Sequence, residues 1–211
     1  MVNKMTNLYI KNLEGVWFGT ALDNEKIFAT AFAPRQNRVI QSLLRNISFN
    51  VPFQILEETS GLAEKAIATL KDIYQGKDVS CKFSLAMEHL SSYAQKVLET
   101  VTLIPVGYVA SYGSVAKAAG GSTRAVGRVM ASNPFPLIVP CHRVVASDFS
   151  LGGYGGGLQV KLDILSRERR GHISKREISV YGEKLQIFPV ELLLRKQAES
   201  NSAFANTNNK S

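Results

Sequence analysis

The sequence predicts an α/β chain of the α+β kind, arranged as two units, and three observations carry that expectation. Strand-like pieces crowd residues 7 to 32, amphipathic helical repeats follow them, and a second run of short helices begins near Ser91. At 211 residues the chain can hold one large domain or two small ones with cores of their own. Its cysteines are Cys81 and Cys141, which excludes a disulfide framework and suits a reducing, cytoplasmic setting. No apolar run approaches the length of a membrane span and no export signal is recognisable, so no membrane partner is expected.

In the first unit, residues 1–86, the strands are Leu8-Tyr9-Ile10, Val16-Trp17-Phe18 and Ile27-Phe28-Ala29. They are separated by Asn12-Leu13-Glu14-Gly15 and Asp23-Asn24-Glu25, which carry turn chemistry and make a meander. Beyond Pro34, Val39, Leu43, Leu44 and Ile47 fall at helical spacing. After an extended piece at Phe53 to Leu56, Leu62, Ala66, Ile67, Leu70 and Ile73 repeat that spacing up to Gly76. No catalytic constellation appears here, and the unit reads as support.

The second unit, residues 87–172, opens with a helix through Tyr93, Val97, Leu98 and Val101, stopped by Pro105 and Gly107. Ser111 or Ser114 begins a short helix through Val115, Ala116 and Ala119. Gly120-Gly121 turns the chain, and Ser122 caps a helix from Thr123 to Ala131 that ends at Asn133-Pro134. The spacing is that of a helix-turn-helix, although helical hairpins inside cores share it. Arg124, Ala125, Gly127 and Arg128 set small residues beside two arginines. Gly127 inside a helix implies close approach of another surface, either protein backbone or DNA, and small residues suit a narrow minor groove.

Gly152-Gly153-Tyr154-Gly155-Gly156-Gly157 follows, matching neither a P-loop nor a dinucleotide fingerprint. The next helix runs Leu158 to Arg169, with Leu158, Leu162 and Leu165 on one face and Glu168 near its end, where a solvent-facing carboxylate is the ordinary expectation. Residues 173–199 form an extension: Ile178 to Val180 and Leu185 to Ile187 read as a hairpin joined at Gly182, with a helical turn over Val190 to Leu194. Residues 200–211, rich in Asn, Ser and Lys, read as a disordered tail.

Chemistry concentrates at Pro140-Cys141-His142-Arg143-Val144. A thiolate, not a thiol, attacks, and a neighbouring imidazole or cation favours it. Adjacent residues of a regular strand face opposite ways, so His142 can serve Cys141 only if the chain turns after Pro140 or a water carries the proton. A buried structural cysteine beside a surface His and Arg is the plain alternative. The net charge of +8 is also unevenly spread: Gly107 to His172 holds eight Lys/Arg against three Asp/Glu, +5 of the total, as expected of a surface that meets phosphates.

With these pieces in view the chain resembles the O6-alkylguanine-DNA alkyltransferase family, from about Leu98 to Glu168, through Pro140-Cys141-His142-Arg143-Val144 following Arg124-Ala125-Val126-Gly127 and Asn133-Pro134. The resemblance implies a ribonuclease-H-like N-terminal domain and a winged helix-turn-helix C-terminal domain. It also implies single-turnover transfer of an alkyl group from guanine O6 in double-stranded DNA to Cys141, the activity of a methylated-DNA-protein-cysteine S-methyltransferase. It makes His142 the base acting through water, Glu168 its orienting partner, Tyr112 the donor toward the flipped base, and Asn133 the hinge. Met130, Val144, Tyr154 and Gly155 would line the base pocket. Arg124 would be the finger filling the stack, with Ala125, Gly127, Arg128 and Ser147 along the DNA. The expected protein is a monomer needing no cofactor, with cooperative loading on DNA and activity on O4-alkylthymine left open.

The sequence departs from the family pattern in places. Gly155 replaces a frequent serine whose backbone amide is the relevant contact, the Gly120-Gly121-Ser122 turn is short, and Arg128 adds charge to the recognition helix. Some relatives hold a zinc in the N-terminal domain, but Cys81 and His89 cannot supply that ligand set, so no metal is expected. Two other readings are a non-catalytic lesion-sensing winged-helix protein and a Cys-His hydrolase. Retention of Cys141 argues against the first, and the helix pair with its basic bias against the second.

Overall fold

The computed structural model describes residues 5–47, 51–56, 60–79 and 82–208. They fall into two compact units, one comprising Met1–Gln95 with Ser132–Val139, the other Lys96–Ala131 with Pro140–Ser211. Both are mixed α/β, each built on a four-stranded sheet. Cys81, one of the two residues weighed for a zinc, lies outside the described residues.

In the first unit β1 (Thr6–Leu13), β2 (Val16–Leu22) and β3 (Ile27–Ala33) form the expected antiparallel meander, and β4 (Phe53–Leu56) adds parallel to β1. Glu14 and Gly15 both take positive φ at the first turn, as a tight hairpin requires. Helix α1 (Gln36–Leu44) buries Val39 and Leu43 against Leu8, Ala21, Ala29 and Ala31. That approach needs Gly19, because a Cβ there would stand 2.5 Å from the Val39 side chain. Helix α2 (Gly61–Tyr74) is capped by Ser60, whose hydroxyl accepts from Ala63 N, and Tyr74 packs edge-on to Phe18. The segment Ser132–Val139 belongs to this unit: Thr30 donates its amide to Pro134 O and its hydroxyl to Pro136 O, each at 2.9 Å.

The second unit takes up α3 (Ser92–Thr102) from Lys96 onward, the part that buries Val97, Leu98 and Val101. Strand β5 (Tyr108–Ser111) leads into α4 (Tyr112–Ala119), and α5 (Thr123–Ala131) follows after Gly120 and Gly121. Of the two serines proposed as caps for α4, Ser111 serves, accepting from Ser114 N at 3.0 Å, while Ser122 accepts from Ala125 N at the start of α5. Strand β6 (Val144–Val145) pairs parallel with β5, and α6 (Leu158–Arg167) follows the glycine loop.

The C-terminal hairpin of β7 (Arg176–Val180) and β8 (Glu183–Pro189), expected as an extension packed on the second unit, joins that unit's sheet: β8 pairs antiparallel with β5, giving the order β6-β5-β8-β7. Edge strands with open backbone groups recruit a neighbour, and β5 takes one on each side. Helix α7 (Val190–Asn208) also continues well past the single turn read from sequence and past Ser200, where a tail without regular structure was expected. Its first turns are anchored by Val190 and Leu193 in a cluster with Val109, Val145, Leu151 and Leu165. Once packing has supplied the nucleus, helix propagation adds one hydrogen bond per residue, and polar residues of modest propensity suffice. Among the described residues no helix is long and apolar enough to cross a membrane.

Candidate active site

Cys141, His142 and Arg143 form a single 3-10 turn between Pro140 and β6, closed by the Arg143 amide donating to Pro140 O at 2.9 Å. This is the irregular corner that an adjacent Cys-His pair demands. All three residues are buried: Cys141 is 8% exposed, His142 0% and Arg143 7%. The plain alternative of a surface His and Arg therefore does not describe this turn.

Glu168, the residue that ends α6, explains how two ionisable side chains are buried side by side. It is fully buried, contrary to the solvent-facing position ordinary for such a glutamate. Its Oε1 lies 3.0 Å from His142 Nε2. The same carboxylate accepts from Arg143 Nε at 3.0 Å on Oε2 and from the second guanidinium nitrogen at 2.8 Å on Oε1, while Arg143 also donates to Ile104 O at 2.7 Å. Burial would raise the Glu168 carboxyl, but His142 and Arg143 outweigh it and hold the group at about 2. For His142 burial comes first and pushes the imidazole below its usual value against the pull of Glu168. Both partners favour the ionised carboxylate, and the Arg143 guanidinium does so whatever the protonation of the imidazole. With Nε2 facing the carboxylate, Nδ1 is buried without a hydrogen-bond partner among the described residues, a polar atom in position to take or pass a proton. Glu191 of α7 accepts from Arg170 N at 3.1 Å and Gly171 N at 2.6 Å, fastening the chain just beyond Glu168.

Lys161 was missed in the sequence. It is 0% exposed and donates to Val144 O and Leu151 O, both at 2.6 Å, so it ties β6 to the head of the glycine loop. Burial pushes its ammonium down to about 8, with Cys141 pulling it back toward the charged form. The signal was present: Leu158, Lys161, Leu162 and Leu165 share one helical face, and a lysine on such a face is buried or snorkelling.

Tyr112 opens α4 and is half-buried; burial, and secondarily Cys141, raises its phenol above the usual value. Its ring lies against Gly152, where a Cβ would stand 3.0 Å from it and where φ is +66°. At least one loop glycine is thus required by packing as well as by backbone conformation. Tyr154 lies under Lys161, with Nζ 5.9 Å from the ring centroid. A Cβ placed on Gly155 would meet no described atom within 4 Å, so a serine fits there. Val144 is fully buried and Met130 is 9% exposed. The Cys141 carbonyl accepts from Val144 N, and the Val144 carbonyl from Lys161.

Arg124 and Arg128 are exposed on α5, with Ala125 and Gly127 half-buried beside them, and Ser147 is exposed after β6. Outside its own helix turn, nothing lies within 4 Å of a Cβ placed on Gly127, so no described residue makes the close approach that the sequence suggested there. Asn133 lies in the segment of the first unit, where Oδ1 accepts from Phe135 N at 2.9 Å and Nδ2 donates to Val139 O at 3.1 Å. It closes the loop that ends at Pro140.

Residues 92–170 match the model of the 6-O-methylguanine DNA methyltransferase DNA-binding domain. A methylated-DNA-protein-cysteine methyltransferase of Methanothermobacter thermautotrophicus is 38% identical over 106 residues, 50% of this chain and 60% of that one. The chain thus spans less than two thirds of that relative's length. A namesake from Mycobacterium leprae is 37% identical over 117 residues, 54% of this chain and 69% of that one. Among solved structures, the O6-methylguanine-DNA methyltransferase of Pyrococcus kodakaraensis KOD1 superposes with a TM-score of 0.60 at 31% identity, covering 76% of this chain and 98% of the other. The motif, the buried turn and these likenesses agree, and the chain belongs to the O6-methylguanine-DNA methyltransferase family.

Proposed function

We propose that this protein repairs duplex DNA by moving an alkyl group from guanine O6 onto Cys141, once per molecule. The observation that carries the reading is the buried Glu168-His142 pair, with His142 next to Cys141 in the same 3-10 turn and its Nδ1 without a partner among the described residues. The thiol proton passes through a water to Nδ1, and Glu168 stabilises the imidazolium that results. Lys161 favours the thiolate by its charge. The sulfur attacks the alkyl carbon, the C–S bond forms as the C–O6 bond breaks, and the electron pair leaves with guanine. Tyr112 donates a hydrogen bond that stabilises the departing base. The thioether product has no acyl carbon for water to attack, so Cys141 is not regenerated.

A base within a duplex hides its O6 substituent, and the nucleotide must be extruded at a cost of a few kcal/mol. We read the second unit as a winged helix-turn-helix with α4 and α5 as its helix pair, and the first as ribonuclease-H-like. Helix α5 lies in the minor groove with Ala125 and Gly127 against the DNA, Arg128 and Ser147 on the backbone, and Arg124 filling the vacated stack. Met130, Tyr154, Gly155 and the Val144 carbonyl receive the base, and Asn133 holds the loop leading to Pro140.

Incubation with duplex DNA containing O6-methylguanine should add one methyl group to the Cys141 peptide, read by mass. Cys141→Ser should remain unmodified yet bind the duplex. Tight lesion binding by the wild type with an unreacted thiol would replace this reading with that of a lesion sensor.

A further inference from the structure

Residues beyond 170 lie outside the stretch matched by the family's DNA-binding domain, yet they build one wall of a cleft in the second unit. The cleft has a volume of 380 Å³. Ser111, Ser114 and Lys117 line it from α4 and the residue before it, Lys184 and Gln186 from β8, and Ser147 from the loop after β6. Phe149 and Phe188 form its floor, packed edge to face with centroids 5.3 Å apart. The walls are held together directly: the Ser114 hydroxyl donates to Gln186 O and accepts from Gln186 N, both at 2.8 Å, and β8 is paired with β5. The cleft is therefore preformed.

We propose that this cleft seats the sugar-phosphate backbone beside the extruded nucleotide, with Lys117 and Lys184 meeting its phosphates, so that the C-terminal hairpin extends the DNA-binding face. The inference rests on the reading of the protein as a duplex-DNA alkyltransferase. Three observations favour that occupant. The rim carries two exposed lysines and an exposed serine, Ser147, while the floor is apolar, which matches the alternation of phosphate and sugar along a strand. The cleft is continuous with the proposed DNA face, because Ser111 and Gly113 flank Tyr112 and Ser147 lines it. Its acidic neighbour, Glu177 on β7, holds Lys184 at 2.9 Å through an exposed ion pair that a phosphate can displace.

The test measures affinity for O6-methylguanine duplex DNA against salt, alongside reaction with free O6-benzylguanine base. Each lysine-phosphate contact contributes about 0.9 to the slope of log K against log salt, so Lys117→Gln/Lys184→Gln should lower the slope by roughly 2. Between about 50 and about 200 mM salt, the wild type should lose roughly tenfold more affinity than the double variant. Glu177→Gln, which releases Lys184, should bind DNA more tightly than the wild type. Reaction with the free base should be unchanged in both variants. An unchanged slope in a double variant that still reacts with free base overturns the cleft assignment alone. A wild type that does not bind the duplex overturns both the cleft and the functional reading.

Discussion

Arg143 and Lys161 are both buried cations of the second unit, and they are held in opposite ways. Arg143 meets a carboxylate through two nitrogens, and its charge is balanced within the fold. Lys161 meets two backbone carbonyls and the neighbourhood of Cys141, and burial brings its proton release down to about 8. A compensated cation is a fixture of the fold. A cation held by dipoles alone retains a charge that the site can use, and the fold carries it at a penalty.

The largest expected effect comes from breaking the compensated pair. Glu168→Ala leaves Arg143 buried without its carboxylate and should lose about 3–5 kcal/mol in urea unfolding. The pH dependence has a definite sign. Glu168 drops from 4.5 in the unfolded chain to about 2 in the fold, so its contribution is present above pH 4.5 and lost as pH falls through about 2. The acid limb should amount to about 3 kcal/mol in the wild type and vanish in Glu168→Ala. His142, whose value is lowered by burial, adds a loss that begins as pH falls below 6.5.

Removing Lys161 should cost far less. Lys161→Met replaces a buried ammonium by an apolar chain of similar length; relief of the buried charge offsets the loss of the donor to two buried carbonyls, so stability should stay within about 2 kcal/mol of the wild type while alkyl transfer slows. Between about pH 8 and 10.5 the unfolded wild-type chain still holds the proton that the fold has released, so wild-type stability rises with pH there. Lys161→Met should lack that rise. A loss as large as that of Glu168→Ala would show the two cations to be held alike.

Smaller effects separate two glycines of the same loop. Gly152→Ala meets both positive φ and the Tyr112 ring, and should lower stability by about 1–2 kcal/mol while slowing transfer from duplex DNA. Gly155→Ser enters open space and should stay within about 0.5 kcal/mol with activity intact. Thermal unfolding and labelled-alkyl transfer distinguish them.

Legibility followed the range of the interaction. Turn residues, caps and apolar spacing are local, so the first-unit meander, Ser122 as cap of α5 and the bend at Cys141 could all be read in order along the chain. The pairing of β8 with β5 and the length of α7 could not, because strand recruitment and helix propagation depend on surfaces supplied by distant residues. The same holds within the site. Cys141, His142 and Arg143 announce themselves as neighbours in sequence, but Arg143 offers no hint there of whether it faces the sulfur, solvent or Glu168.

The sequence by itself determined the thiol of Cys141, the adjacent imidazole and the family to which the motif belongs, since these rest on residue chemistry and short spacing. Only the tertiary structure decided that the Glu168 carboxylate expected at His142 holds Arg143 as well, and that Lys161 is buried on carbonyls. It also decided that the C-terminal hairpin is part of the sheet. The physical reason is common to all three: the free energy of a buried charge or an open strand edge depends on what the rest of the chain brings to it.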